Sequence, residues 1–178
     1  MDKDYVSYGR VAKFLHWTMA ILILLNYFLG LTLDKTSLYN FHKQTGLTIL
    51  ALAIIRIVWR ILDQYPAPVK SLTMLERSGA KLGHLALYLF MLLVPVSGIL
   101  MVNSYGYSLE FWGLFTIPEI IQMQSSQNSH ILAEMHEILA NTMIAIVAVH
   151  VLAALKHHLV DKNEVLMRMI PFGRKHKQ

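Results

Sequence analysis

The sequence predicts an all-α integral membrane protein: a four-helix bundle, up-down-up-down, with both termini cytoplasmic. Three observations carry that prediction. Four apolar stretches, roughly 11–33, 41–62, 82–102 and 134–160, each supply the ~20 residues a helix needs to cross a bilayer core. The chain is 55% hydrophobic and only 15% charged, with a mean hydropathy of +0.46, which is too apolar for an ordinary soluble domain. The cations are also unevenly placed. Lys3, Arg10 and Lys13 precede span one, and Arg56, Arg60, Lys70, Arg77 and Lys81 flank the second connection. Lys156, Lys162, Arg168, Arg174, Lys175 and Lys177 close the chain. The opposite side has Lys35 and Lys43, and 103–135 has no cation. This is a positive-inside distribution. The net charge of +5 therefore points to anionic lipid headgroups at the basic tail, and not to nucleic acid.

Taken in order, the elements form one domain over 1–178. Span one carries His16 at its inner end. Its length, that histidine, the lack of a small-x-small exit and the three spans that follow argue against a cleavable signal. A short outer loop, DKTSLYNF, leads to span two, which opens at His42. The inner connection DQYPAPVKSLTMLERSGAK has two prolines, so its first half is a non-helical link, and 72–83 is read as a short interfacial helix entering span three. His84 opens span three. The outer segment from Asn103 carries Tyr105, Tyr107, Phe111, Trp112 and Phe115, which suit the membrane interface or a lid over the bundle. Span four opens at His136 and holds His150 deeper. The ten methionines are read as helix packing. With no cysteine, disulfides, iron–sulfur clusters and thiolate metal sites are excluded.

Histidine inside a span is costly and by default functional. His136 and His150 are fourteen residues apart, which is ~21 Å of rise and a rotation about 40° short of four turns. They share a face at two depths. The same step runs from His16 to Gly30, from His42 to Arg56 and from His84 to Gly98. Two levels of histidine on facing helices are what two stacked b-type haems need. Gly30, Gly46 and Gly98 would make room for a porphyrin, and Arg56 suits a propionate, because its planar fork pairs with carboxylate.

One intramembrane histidine is as readily a hydrogen-bonded structural residue; five at two matched depths are harder to explain so. A four-histidine zinc site fails, because the ligands are split between levels ~20 Å apart. HEILA is no zincin motif, since its second histidine would fall at Ala140. The outer level offers only His42 and His136. The inner level offers His16, His84 and His150, one too many, and an idealised square bundle favours His16 with His84 across its diagonal. His157 and His158 are placed at the inner interface, His130 in a loop and His176 in the tail.

FLHWTMA, NFHKQTG, IRIVWR, YPAP, KLGHLALYLFMLLVPVSG, HEILAN and VHVLAALKHH together resemble the prokaryotic cytochrome b561 family over nearly the whole chain. The resemblance implies a four-helix, di-haem b protein of the bacterial inner membrane. It implies His16 with His150 for the inner haem and His42 with His136 for the outer haem, leaving His84 without one. It also implies superoxide:ubiquinone oxidoreductase activity, with superoxide as donor and ubiquinone as acceptor. Lys43 is the candidate for steering superoxide. Arg77, Lys81 and His84 are the candidates for the quinone. Two rival functions are a haem-bearing anchor serving a partner dehydrogenase, and a histidine-lined cation or proton path. The second lacks continuous polar residues between the two levels of span four.

Overall fold

The computed structural model describes residues 7–32, 37–63, 66–69, 71–119 and 126–171. Among them are four long helices, α1 (Arg10–Leu31), α2 (Ser37–Leu62), α3 (Met74–Ser104) and α4 (Ser126–Leu159), with a hairpin of β1 (Leu109–Phe111) and β2 (Phe115–Ile117) between the last two. All four helices are long and apolar enough to cross a membrane. Close packing runs in series, α1 on α2, α2 on α3 and α3 on α4, while α1 and α4 make few close approaches. At mid-height one small or flexible side chain from each helix fills the centre: Met19, Ala53, Met91 and Met143, all buried. Unbranched thioethers suit such an irregular gap. Large aliphatics such as Ile21, Ile61, Leu85 and Leu152 point outward, as lipid contact requires.

Helix α3 begins well before the expected start at 82. Thr73 and Glu76 form a capping box: the Thr73 hydroxyl accepts the Glu76 N–H at 3.2 Å, and the Glu76 carboxylate accepts the Thr73 N–H at 2.9 Å. Two orphan donors are thereby satisfied, and the expected interfacial helix becomes the first turns of span three. Helix α4 likewise starts at Ser126, so His130 is helical and not in a loop, pairing with Glu134 at 3.3 Å.

The aromatic outer segment is a hairpin laid along α2. Trp112 and Gly113 take positive φ, 50° and 72°, at its turn. The Trp112 indole donates to the Thr48 hydroxyl at 2.9 Å, and its ring meets Phe41 edge-on at 5.7 Å. Leu109 is buried with Leu47 and Val102.

The inner end departs from expectation in its cations. Lys13, counted among the inner cations, is only 6% exposed and donates to the Ile170 carbonyl at 2.9 Å. Arg168, expected at the lipid surface, donates to the Ala67 carbonyl at 2.7 Å and pairs with Glu164 at 3.2 Å. Lys3, Lys35, Lys70, Arg174, Lys175, Lys177 and His176 lie outside the described residues. Lys156 bridges Glu76 at 2.7 Å and Asp161 at 2.8 Å, stapling α4 to α3. The hydrogen bond from Lys156, and next that from His157, hold the Asp161 carboxyl below its ordinary 3.8. A depressed carboxyl stabilises the fold above its ordinary value and loses that contribution as pH falls through the folded value. Acidification below 3.8 is therefore expected to speed amide exchange across 157–163. Lys156→Ala should move that onset to higher pH.

Candidate functional site

At the outer level His42, on α2, faces His136, on α4, with ring centroids 6.3 Å apart and planes at 83°. The His42 Nδ1 donates to the Asn26 carbonyl at 3.0 Å. The His136 Nδ1 donates to the Val94 carbonyl at 3.1 Å, with the Ser97 hydroxyl at 2.9 Å. A carbonyl only accepts, so both Nδ1 atoms carry the proton and both Nε2 atoms keep a lone pair for a metal. These outer bonds also fix each ring's orientation.

Glycine backs each of these rings. A Cβ at Gly30 would lie 3.2 Å from the His42 Cε1, and one at Gly98 would lie 3.1 Å from the His136 Cε1. At Gly46 it would meet only Asn26 Nδ2, at 3.6 Å. All three glycines and both histidines line one cavity of about 460 Å³, which Tyr27, Lys43 and Glu137 also border. Asn26 Oδ1 is buried there without a hydrogen-bond partner among the described residues.

The inner level holds three histidines. His16 and His150 lie 6.3 Å apart with planes at 61°, and His84 lies 5.3 Å from His150. Metal–imidazole bonds run about 2.0–2.1 Å and a ring nitrogen sits roughly 1.1 Å from its centroid, so an ion gripped between facing rings sets centroids about 6.2–6.4 Å apart. His42–His136 and His16–His150 meet that separation. His84–His150 is too close for it. The residues present therefore fit a bis-histidine metal group at each level.

Arg56 stands at the inner level, as its spacing predicted. Its Nη2 is 3.0 Å from the His16 Nδ1, and its guanidinium lies 5.9 Å from the centre of the Tyr88 ring. Guanidinium only donates, so His16 accepts here. A His16 that ligates through Nε2 carries its proton on Nδ1, and Arg56 then needs a different acceptor, such as a carboxylate. His84 is exposed, with its Nδ1 donating to the Ala80 carbonyl at 2.6 Å. Arg77 and Lys81 are exposed on the same stretch of α3. Lys43 rests its ammonium 4.6 Å over the Tyr39 ring.

Spacing alone did not find the partners of these residues. Ser97 and the Val94 and Asn26 carbonyls orient the outer rings, and Tyr27 donates to Asn141 at 2.8 Å across α1 and α4. Ser97 and Asn141 were visible as polar residues inside apolar spans, which was the available signal; the Asn26 and Val94 carbonyls offered none.

The sequence profile of the prokaryotic cytochrome b561 family matches residues 7–172. Cytochrome b561 homolog 2 of Escherichia coli (strain K12) is 30% identical over 171 residues, covering 92% of this chain and 90% of that protein. The probable superoxide oxidase CybB of Yersinia pestis is 32% identical over 132 residues, covering 73% of each. A cytochrome b562 of Cereibacter sphaeroides is 29% identical over 178 residues, covering 92% of this chain and 95% of that protein. With a match over nearly its full length and four apolar helices to carry it, the chain belongs to the prokaryotic cytochrome b561 family of membrane haem proteins.

Proposed function

We propose that this protein is a di-haem b electron carrier of the bacterial inner membrane that oxidises periplasmic superoxide and reduces ubiquinone. The observation that carries the reading is the pair of imidazole pairs, each 6.3 Å between centroids, at two levels of one membrane bundle. His42 and His136 hold the outer haem; His16 and His150 hold the inner. The haems supply one-electron chemistry. Two histidines holding each haem would leave no open site for oxygen, which favours outer-sphere transfer. The lysine and arginine distribution supports cytoplasmic termini, with the His42–His136 level on the periplasmic side.

The surrounding residues then have definite tasks. Gly30 and Gly98 let the outer rings sit close to α1 and α3, and Gly46 leaves the cavity open beside Asn26. Arg56 takes a haem carboxylate. Lys43 provides positive charge at the outer mouth, where an anion approaches. Arg77 and Lys81 offer donors to the quinone oxygens. His84, with its Nδ1 donating to the Ala80 carbonyl, keeps its Nε2 for the quinone beside these two neighbours. Each of two superoxide anions gives up one electron and leaves as dioxygen; the quinone takes two electrons and two protons to become quinol.

The test uses purified protein in detergent. A reduced-minus-oxidised spectrum should count two b haems per chain. Enzymatically generated superoxide should reduce them, and added ubiquinone should reoxidise them. Haems that stay oxidised until a second subunit is supplied would replace the oxidase with the membrane-anchor reading. Lys43→Gln should slow superoxide-driven reduction about tenfold at low salt, the lower end of electrostatic steering effects, and leave the dithionite-reduced spectrum as it was. An unchanged rate would remove Lys43 from the approach path.

A further inference from the structure

The segment after α4, residues 163–171, turns back under the bundle and grips the start of α1. The Tyr8 N–H donates to the Arg168 carbonyl at 3.1 Å. The Trp17 indole donates to the Met169 carbonyl at 3.0 Å. The buried Lys13 ammonium donates to the Ile170 carbonyl at 2.9 Å. Arg168 reaches sideways to the Ala67 carbonyl in the inner connection, and Asn163 closes the turn with its N–H on the His157 carbonyl at 3.0 Å. Three consecutive carbonyls, 168 to 170, thus receive donors from α1 or the residues just before it.

The place of this strap matters because of which helices it joins. The inner pair spans α1 and α4, and those two helices pack on α2 and α3 and barely on each other. Across that seam the outer half has the Tyr27–Asn141 hydrogen bond. At the inner end α1 is tied to the continuation of α4 by the strap. Trp17, one of its anchors, is the neighbour of His16, and the two rings meet edge-on at 5.6 Å. A helix sliding along its axis or turning about it by a fraction of a residue moves an imidazole by about an ångström, since each residue is 1.5 Å of rise and 100° of turn.

We propose that the strap 163–171 is a positioning device for the inner haem: it sets the height and rotation of α1 so that His16 stands opposite His150. This rests on the di-haem reading above. Lys13 and Trp17 are its positioning residues, each bonded to a carbonyl of the strap. The outer pair, on α2 and α4, is held through helices already packed on α3 and does not depend on the strap.

The test compares the full chain with a chain ending at residue 162, and with full-length Lys13→Met and Trp17→Phe. The readouts are haem per chain, the ferric EPR spectrum, which responds to the angle between axial imidazole planes, and amide exchange at 13–18. The shortened chain should keep the outer haem and bind the inner at least tenfold more weakly. Each point variant should alter the EPR signal that His150→Ala abolishes, leave the His136-dependent signal alone, and speed exchange at 13–18. Should the shortened chain not reach the membrane, the point variants decide. Two haems with an unchanged inner signal in both point variants overturn the proposal. So does equal loss of the outer and inner haems, which makes the strap a general fold element. A wild-type chain with fewer than two b haems sinks the di-haem reading instead; the strap's hold on α1 is then decided by exchange at 13–18 alone, unchanged exchange refuting it.

Discussion

His136→Ala is expected to leave one b haem per chain where the native protein has two, and His42→Ala should do the same. His16→Ala and His150→Ala should remove the other haem. The two classes should be told apart by which half of the reduced spectrum survives. The magnitude follows from what each imidazole does. Loss of a group that merely orients a metal ligand costs about 10–100-fold in affinity, and loss of the ligand itself should exceed that. The neighbouring cavity, about 460 Å³ at the outer level, gives the remaining imidazole no substitute: among the described residues no other histidine lines it. His84→Ala is the informative control. Its ring stands 5.3 Å from His150, closer than an ion between the two allows, so both haems should remain. If His84→Ala removes the inner haem and His16→Ala does not, the inner pair is His84 with His150, and the 6.3 Å separation of His16 from His150 does not mark a ligand pair.

The four spans and the two levels were legible because lipid imposes a length and a polarity on every helix, and because fourteen residues return a helix to nearly the same face. The contacts agree with that step: Arg56 meets His16, Gly30 meets His42 and Gly98 meets His136. Helix ends were less legible. Hydropathy reports where a helix enters lipid, not where its hydrogen bonding starts, so the polar first turns of α3 read as a separate interfacial helix and those of α4 as part of the outer segment. Thr73 and Glu76 carried the correct start as a capping pair. The choice of partner for His150 was not legible from spacing, since three histidines reach the inner level; their separations, 6.3 against 5.3 Å, favour His16. Nor was the strap. Lys13 and Arg168 look like surface cations in a one-dimensional charge count, yet they meet backbone carbonyls more than a hundred residues away. A carbonyl leaves no trace in residue type, and the same blindness hid the Asn26 and Val94 acceptors.

Gly98→Val should abolish or severely weaken the outer haem alone, and the reason lies in how little freedom His136 has. A Cβ at position 98 would fall 3.1 Å from Cε1 and 3.4 Å from Nδ1 of that ring. The ring could escape only by turning away, but its Nδ1 is held by the Val94 carbonyl and the Ser97 hydroxyl of the same helix. Any shift that relieves the clash therefore strains the bonds that keep Nε2 aimed at His42. Overpacking of this kind costs about 1–3 kcal/mol, which corresponds to ~5–150-fold in affinity when each 1.4 kcal/mol is tenfold, and the second branch of valine places it toward the upper end. Gly30→Val should act likewise through His42, with its nearest approach at 3.2 Å. Gly46→Ala should be nearly silent, because the added carbon meets Asn26 at an ordinary 3.6 Å. The three substitutions separate two explanations of glycine in these helices. If the glycines served helix packing in general, all three would lower thermal stability by similar amounts and none would favour one haem. If they serve the imidazoles, haem content should fall at 30 and 98 and hold at 46, with the inner haem retained throughout. Retention of both haems in Gly98→Val would mean that the ring has room to move, and the tight backing of His136 would lose its functional meaning.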